Sequence, residues 1–172
     1  MSLIGEVIDK LKKTRYFNKL DLIWGYNNVR IKEGDKWKAM FLTNKGLFEP
    51  QVMYFRLYNS PGTFQRMMNS IFQKLLYKGV LANYIDDFVI LAKTMEELEE
   101  RTIRFLKIAE KHNLCFKRSK CDFNMEEIPI LGVIVGKRQV KMEQEKINVV
   151  KEWKTPTRVK DVKSFLGFTN FY

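Results

Sequence analysis

Cysteine is almost absent: Cys115 and Cys121 are the two thiols in 172 residues. Two thiols make no disulfide framework in a chain this long, and their spacing is not a zinc pattern, so a reduced, intracellular setting is expected. Histidine occurs once, at His112, on an expected helix end where a capping or surface role suffices. No apolar run approaches the roughly 18–20 residues that cross a bilayer, and Met1–Glu6 lacks the basic-then-apolar order of a signal peptide. No membrane partner is expected. No low-complexity stretch and no repeat at a fixed period is present, which excludes global disorder and solenoid architecture. Acids are the minority charge, 20 against 31 basic residues, for a net charge of +11. Glu96, Glu97, Glu99 and Glu100 crowd one segment, leaving the rest more positive than the average. A balance of this size suits a polyanionic partner such as nucleic acid.

What is present is 45% hydrophobic residues, enough for one sizeable core. Ile4, Val7, Ile8 and Leu11 predict a short opening helix. Phe17 to Leu22 reads as a strand closed by Trp24-Gly25. Asn27–Gly34 and Lys36–Phe41 read as hairpin strands around Gly34-Asp35, and Phe48–Phe55 as a further strand. Ser60-Pro61 opens a helix whose apolar face runs through Phe64, Met68, Phe72 and Leu75. Val80–Tyr84 and Phe88–Leu91 read as strands around a tight turn. Thr94-Met95-Glu96-Glu97 has the form of a capping box for a helix to about His112. Strands follow at Leu114–Phe116 and Ile128–Val135, then helices near Gln144–Trp153 and Arg158–Phe171. The middle order is strand, helix, strand–strand, helix, strand, that of a ferredoxin-like antiparallel sheet backed by two helices.

Three acids sit in apolar surroundings. Asp21 interrupts Lys19-Leu20-Asp21-Leu22-Ile23, and Asp86-Asp87 joins two of the most apolar strands. Aspartate is depleted in strands and costly to bury unpaired. The first and third strands of a ferredoxin-like sheet are neighbours, so Asp21 should lie near Asp86 and Asp87. Clustered carboxylates need a cation to remain ionised together, and hard oxygen ligands suit Mg²⁺ or Mn²⁺.

At these residues a family resemblance enters. Tyr84-Ile85-Asp86-Asp87 resembles the Tyr-x-Asp-Asp box of reverse transcriptases. Phe17-Asn18-Lys19-Leu20-Asp21-Leu22 with Gly25-Tyr26 resembles the first catalytic motif of the gypsy class of LTR retrotransposons. Leu47–Pro50, Asn59–Gln65, Lys120–Phe123, Leu131-Gly132 and Ser164–Tyr172 continue the likeness in order over essentially the whole chain. The resemblance implies an RNA-directed DNA polymerase module with an α+β fold. Its ferredoxin-like polymerase palm would span 1–28 and 60–136, a partial fingers insertion 29–59, and the start of a helical thumb 137–172. It implies Asp21, Asp86 and Asp87 as catalytic metal carboxylates for Mg²⁺ or Mn²⁺. It implies Tyr26, as a sugar gate, with Phe55, Gln65 and Lys120 at the nucleotide. Leu131 and Gly132 would belong to the turn that grips the primer end, and Lys163, Gly167 and Phe171 would track the duplex minor groove on one helix face. The implied partners are an RNA or DNA template, a DNA primer, deoxynucleoside triphosphates and the remaining fingers, thumb and nuclease parts of a polyprotein. The implied setting is cytoplasmic, including retroelement particles. Two departures stand out: Arg56 replaces a family glycine and Arg118 a usual proline. They carry the alternative, a catalytically inactive nucleic-acid-binding remnant of a retroelement polymerase.

Overall fold

The computed structural model describes residues 9–11, 14–137 and 139–170. Residues 9–11 are helical; Ile4, Val7 and Ile8 of the expected opening helix lie outside the described residues. Strand β1 (Tyr16–Asp21) alternates between two buried surfaces. Two 3-10 turns follow, Gly25–Asn28 and Lys36–Ala39. Next come the short strands β2 (Phe41–Thr43) and β3 (Gly46–Phe48). Helix α1 (Ser60–Ile71) carries proline in its first turn, where a missing N–H costs nothing. After α2 (Gln73–Tyr77) come β4 (Leu81–Tyr84) and β5 (Asp87–Ala92). Thr94 caps α3 (Met95–Lys111): its hydroxyl accepts from the Glu97 N–H at 3.3 Å. The chain continues through β6 (Asp122–Met125), β7 (Glu127–Ile130), β8 (Val133–Gly136) and β9 (Gln139–Met142). It ends with α4 (Gln144–Lys151) and α5 (Val159–Thr169).

The main sheet has the order β4-β5-β1-β6, all antiparallel. This is the ferredoxin-like order, with the first strand beside the third of the four. One face carries Leu20, Phe88 and Ile90 and packs on the helices, where Phe72 stacks on Phe105 at 4.5 Å between ring centres. The other face carries Phe17, Val89 and Leu91 and is covered by Ile128, Ile130 and Val135 of a second sheet, β7-β8-β9. The molecule is therefore an α+β sheet buried on both sides, and Asp21 shares the Phe17 face by strand alternation.

Four expectations are corrected. Phe48–Phe55 is strand only at Phe48, the end of β3, and Leu114–Phe116 forms a single isolated bridge, Phe116 to Leu22, so the fourth strand of the main sheet is β6. Asn27–Gly34 and Lys36–Phe41 do not pair with each other. The hairpin lies later, Phe41 opposite Phe48, while Val29 and Ile31 pack against the main core. Ile128–Val135 is not one strand but two, reversed at Leu131-Gly132.

Candidate active site

Three elements place the carboxylates. Asp21 ends β1, and Asp87 begins β5 directly opposite it in register. Asp86 lies in the two-residue turn between β4 and β5. That turn requires a left-handed residue, and Ile85 supplies it at φ 55°, a costly conformation for a β-branched side chain. The Ile85 N–H donates to Gln65 Oε1 at 2.9 Å, and Gln65 Nε2 donates in turn to Asn69 at 3.0 Å. Gln65 is buried, so helix α1 anchors the turn through one carboxamide. Gly25 closes the other side. A Cβ there would overlap Asp86 Oδ1 and touch the Phe64 ring at 3.3 Å. Only glycine lets the backbone approach Asp86 this closely.

Asp86 Oδ1 is buried without a hydrogen-bond partner. Burial pushes the Asp86 carboxyl above the ordinary carboxylate range, and the Asp21 and Asp87 charges push it further, while Lys120 pulls it back. Asp21 and Asp87 have cations instead. Lys120 Nζ lies 3.4 Å from Asp21 Oδ2, and Lys19 Nζ 3.5 Å from Asp87 Oδ1. Among the described residues no three such groups close into a metal cage. The donor set nevertheless fits a hard divalent ion. It is oxygen-only, mutually repelling, and contains one buried oxygen lacking any partner.

Asp21 and Asp86 line one cleft of about 460 Å³ with Trp24, Gly25, Phe55, Lys117 and Lys120. A 3-10 turn, Arg118–Lys120, aims Lys120 inward, and the Lys117 N–H fixes that segment to the Asp21 carbonyl at 3.0 Å. Such a cleft can hold a metal-bound polyanion against aromatic walls. Tyr26 lies buried beneath its rim, edge-on to Phe55 at 5.1 Å and to Phe64 at 5.5 Å. Burial, and then the Asp86 charge, push its phenol upward.

Several expected site residues lie elsewhere. Gln65 is not in the cleft lining; its carboxamide serves the turn. Leu131 and Gly132 form the β7–β8 turn, both with positive φ, 53° and 83°. Two such residues make the turn type that hairpin twist favours. Lys163 and Gly167 lie on α5, whose Phe165 and Phe168 pack on Trp153; neither lines the cleft. Phe171 lies outside the described residues. Sequence reasoning missed Lys19, Lys117 and Trp24. Trp24 is 78% exposed at the cleft with φ 51°. A large exposed aromatic directly before the expected strand-ending glycine was the available signal.

A family profile described as "Reverse transcriptase (RNA-dependent DNA polymerase)" matches residues 3–135. The chain is 36% identical over 170 residues to the retrovirus-related Pol polyprotein from transposon 297 of Drosophila melanogaster, covering 98% of this chain and 16% of that protein. It is 29% identical over 171 residues to the transposon Tf2-3 polyprotein of Schizosaccharomyces pombe, covering 99% of this chain and 13% of that protein. The chain thus spans about one-sixth or less of these relatives. Among solved structures, foamy viral protease-reverse transcriptase in complex with an RNA/DNA hybrid superposes with a TM-score of 0.83 at 19% identity. That match covers 95% of this chain and 22% of the other. The same protein in complex with double-stranded DNA also gives 0.83, at 20% identity, over 91% of this chain and 32% of that one. These likenesses establish the fold.

Proposed function

Because this chain belongs to the reverse transcriptase (RNA-dependent DNA polymerase) family, we propose that it supplies the catalytic core of an RNA-directed DNA polymerase. The reaction is template-directed nucleotidyl transfer to a primer 3′-hydroxyl. The observation that carries it is that Asp21 and Asp86 line one cleft, with Asp87 opposite Asp21 in the sheet register and a buried Asp86 oxygen that no protein group satisfies.

Asp21, Asp86 and Asp87 would hold Mg²⁺, or Mn²⁺ in its place. When bound, two such ions activate the attacking hydroxyl and stabilise the leaving pyrophosphate. The protein's own work is placement. Gln65 and Gly25 fix the Asp86 turn from two sides. Lys120 holds positive charge where the pyrophosphate's negative charge develops. Phe55 borders the nucleotide, and Tyr26 underlies the sugar and rejects a 2′-hydroxyl by overlap. Leu131 and Gly132 border the primer end, while Lys163, Gly167 and Phe171 follow the duplex. In this division residues 1–28 and 60–136 form the palm, 29–59 part of the fingers and 137–172 the start of the thumb. Template, primer and deoxynucleoside triphosphates are the partners, with the remaining polyprotein parts completing the clamp. The setting is cytoplasmic, including retroelement particles; among the described residues no helix is long and apolar enough to cross a membrane.

The strained backbone at Arg56, φ 76°, favours a second reading, an inactive nucleic-acid-binding remnant. Primer extension with Mg²⁺ or Mn²⁺ on RNA and DNA templates decides between them. The 172-residue chain should extend poorly alone and measurably once joined to a fingers segment, and Asp86→Asn should abolish that extension. A joined chain that binds template but never extends establishes the remnant.

A further inference from the structure

We infer that Lys19 is a positioning residue that straps the β7–β8 hairpin to the Asp87 carboxylate. The inference rests on the polymerase reading above and assigns a residue to it. Lys19 precedes Asp21 by two positions on β1 and so points to the same face. On that face the second sheet packs through Ile128, Ile130 and Val135 onto Phe17, Val89 and Leu91. A lysine at such an apolar seam is costly unless its ammonium is bonded. The Lys19 side chain is 19% exposed, and its Nζ has two partners on different sheets. It donates to the Pro129 carbonyl on β7 at 3.1 Å and lies 3.5 Å from Asp87 Oδ1 on β5.

An ammonium carries three hydrogens and can serve both acceptors at once. Pro129 is two residues before the Leu131-Gly132 turn, on an edge strand of its sheet. Lys19 therefore fixes the distance between the turn proposed to hold the primer end and an acid proposed to hold metal. Nucleotidyl transfer depends on that distance, since small misplacements of reacting groups cost large factors in rate. Glu126 alone joins β6 to β7 at one end of the seam; the two-point polar contact of Lys19 ties the sheets a second time, nearer the turn.

The test uses the 172-residue chain and two measurements other than activity: hydrogen exchange across residues 127–136, and Mn²⁺ affinity by electron spin resonance of the free ion. Lys19→Met keeps the stem and removes the cation. It should speed exchange in the hairpin selectively and tighten Mn²⁺ binding roughly two- to fivefold, the worth of a partly exposed ion pair. Lys19→Arg should restore both. A merely structural lysine would, on removal, speed exchange throughout and weaken Mn²⁺ binding. Unchanged hairpin exchange, or Mn²⁺ binding that is unchanged or weaker, overturns the strap. If Lys19→Met does not fold, Lys19→Gln, with a donor for Pro129 and no charge for Asp87, should tighten Mn²⁺ binding and leave the hairpin protected; unaltered Mn²⁺ binding again overturns it. A parent chain that binds no Mn²⁺ refutes the carboxylate reading instead, and hairpin exchange then decides the strap alone.

Discussion

Ile85 and Asp86 are both held in states that neither would choose in isolation. The left-handed Ile85 persists because Gln65 satisfies its N–H. Gln65→Leu keeps the volume and removes the acceptor. It should destabilise the fold by about 1–3 kcal/mol, the cost of a buried unsatisfied donor, and lower kcat more than it raises KM, because Gln65 lies outside the cleft. Denaturant unfolding and steady-state extension in a fingers-completed chain check both. Asp86 is raised by burial and by the Asp21 and Asp87 charges. A carboxyl whose folded value lies above its unfolded value binds its proton more tightly in the fold. Metal-free stability is then lost as pH rises from the ordinary carboxylate range through the raised value. Asp86→Asn should remove this slope and raise the metal-free Tm at neutral pH, by about 2–4 °C for each kcal/mol of relieved repulsion. Mn²⁺ should raise the Tm of the parent and not of the variant. A steeper loss of stability toward acid in the parent contradicts the assignment.

At the scale of elements, the segment around Phe55 shows how the backbone constrains the cleft. Phe55 lines it and is 66% exposed, while Arg56 is exposed with φ 76° and is not among the lining residues. The arginine therefore strains the chain rather than filling the nucleotide space. Arg56→Gly should stabilise the fold by about 1 kcal/mol, the left-handed penalty of a side chain, and should speed extension in a fingers-completed chain. Calorimetry and primer extension measure the two effects. The same scale shows what was legible in the sequence. The place of β1 beside β5, the capped helix α3 and the pairing of Asp21 with the Asp86-Asp87 turn followed from apolar periodicity and one topological rule. The hairpin at 27–41 was misread because Val29 and Ile31 keep a strand-like alternation while packing singly against the core. β6 and β9 were missed because Asp122–Met125 and Gln139–Met142 are only four residues each, half polar and largely exposed; neighbouring strands, more than their own propensity, make them extended. The Leu131-Gly132 reversal carries no polar turn residue, so the apolar pattern ran through it and the family resemblance alone placed a turn there. Lys19 drew no reading of its own, since nothing local tells that a second sheet packs on that face.

Over the whole molecule, acids are crowded in one place while the balance is basic. The crowded acids Glu96, Glu97, Glu99 and Glu100 lie on α3, behind the sheet. There Glu96 and Glu99 border a cavity of about 640 Å³ with Asn18 and Arg118. The cleft at the end of β1, beside the Asp86 turn, is lined by Lys117 and Lys120 instead. With a net charge of +11, template binding should be dominated by phosphates and nearly blind to sequence. Its affinity should fall with salt at a log–log slope of about −0.7 to −0.9 per phosphate contacted. Fluorescence anisotropy across a salt series on mixed-sequence oligonucleotides measures this, and a flat salt response contradicts it. The sheet order has one more consequence, for synthesis of the chain. β1 is made first yet lies in the middle, with β5 on one edge and β6 on the other. Until both have left the ribosome, its Phe17 and Leu20 and two unpaired edges stay open to other chains. Over the roughly 65 to 100 intervening residues, translation at about 5–20 residues per second makes that wait several seconds to some twenty seconds. Nascent chains of this protein should therefore depend on chaperone cover until residue 125 emerges, and the carboxylate cluster cannot form before β5 does.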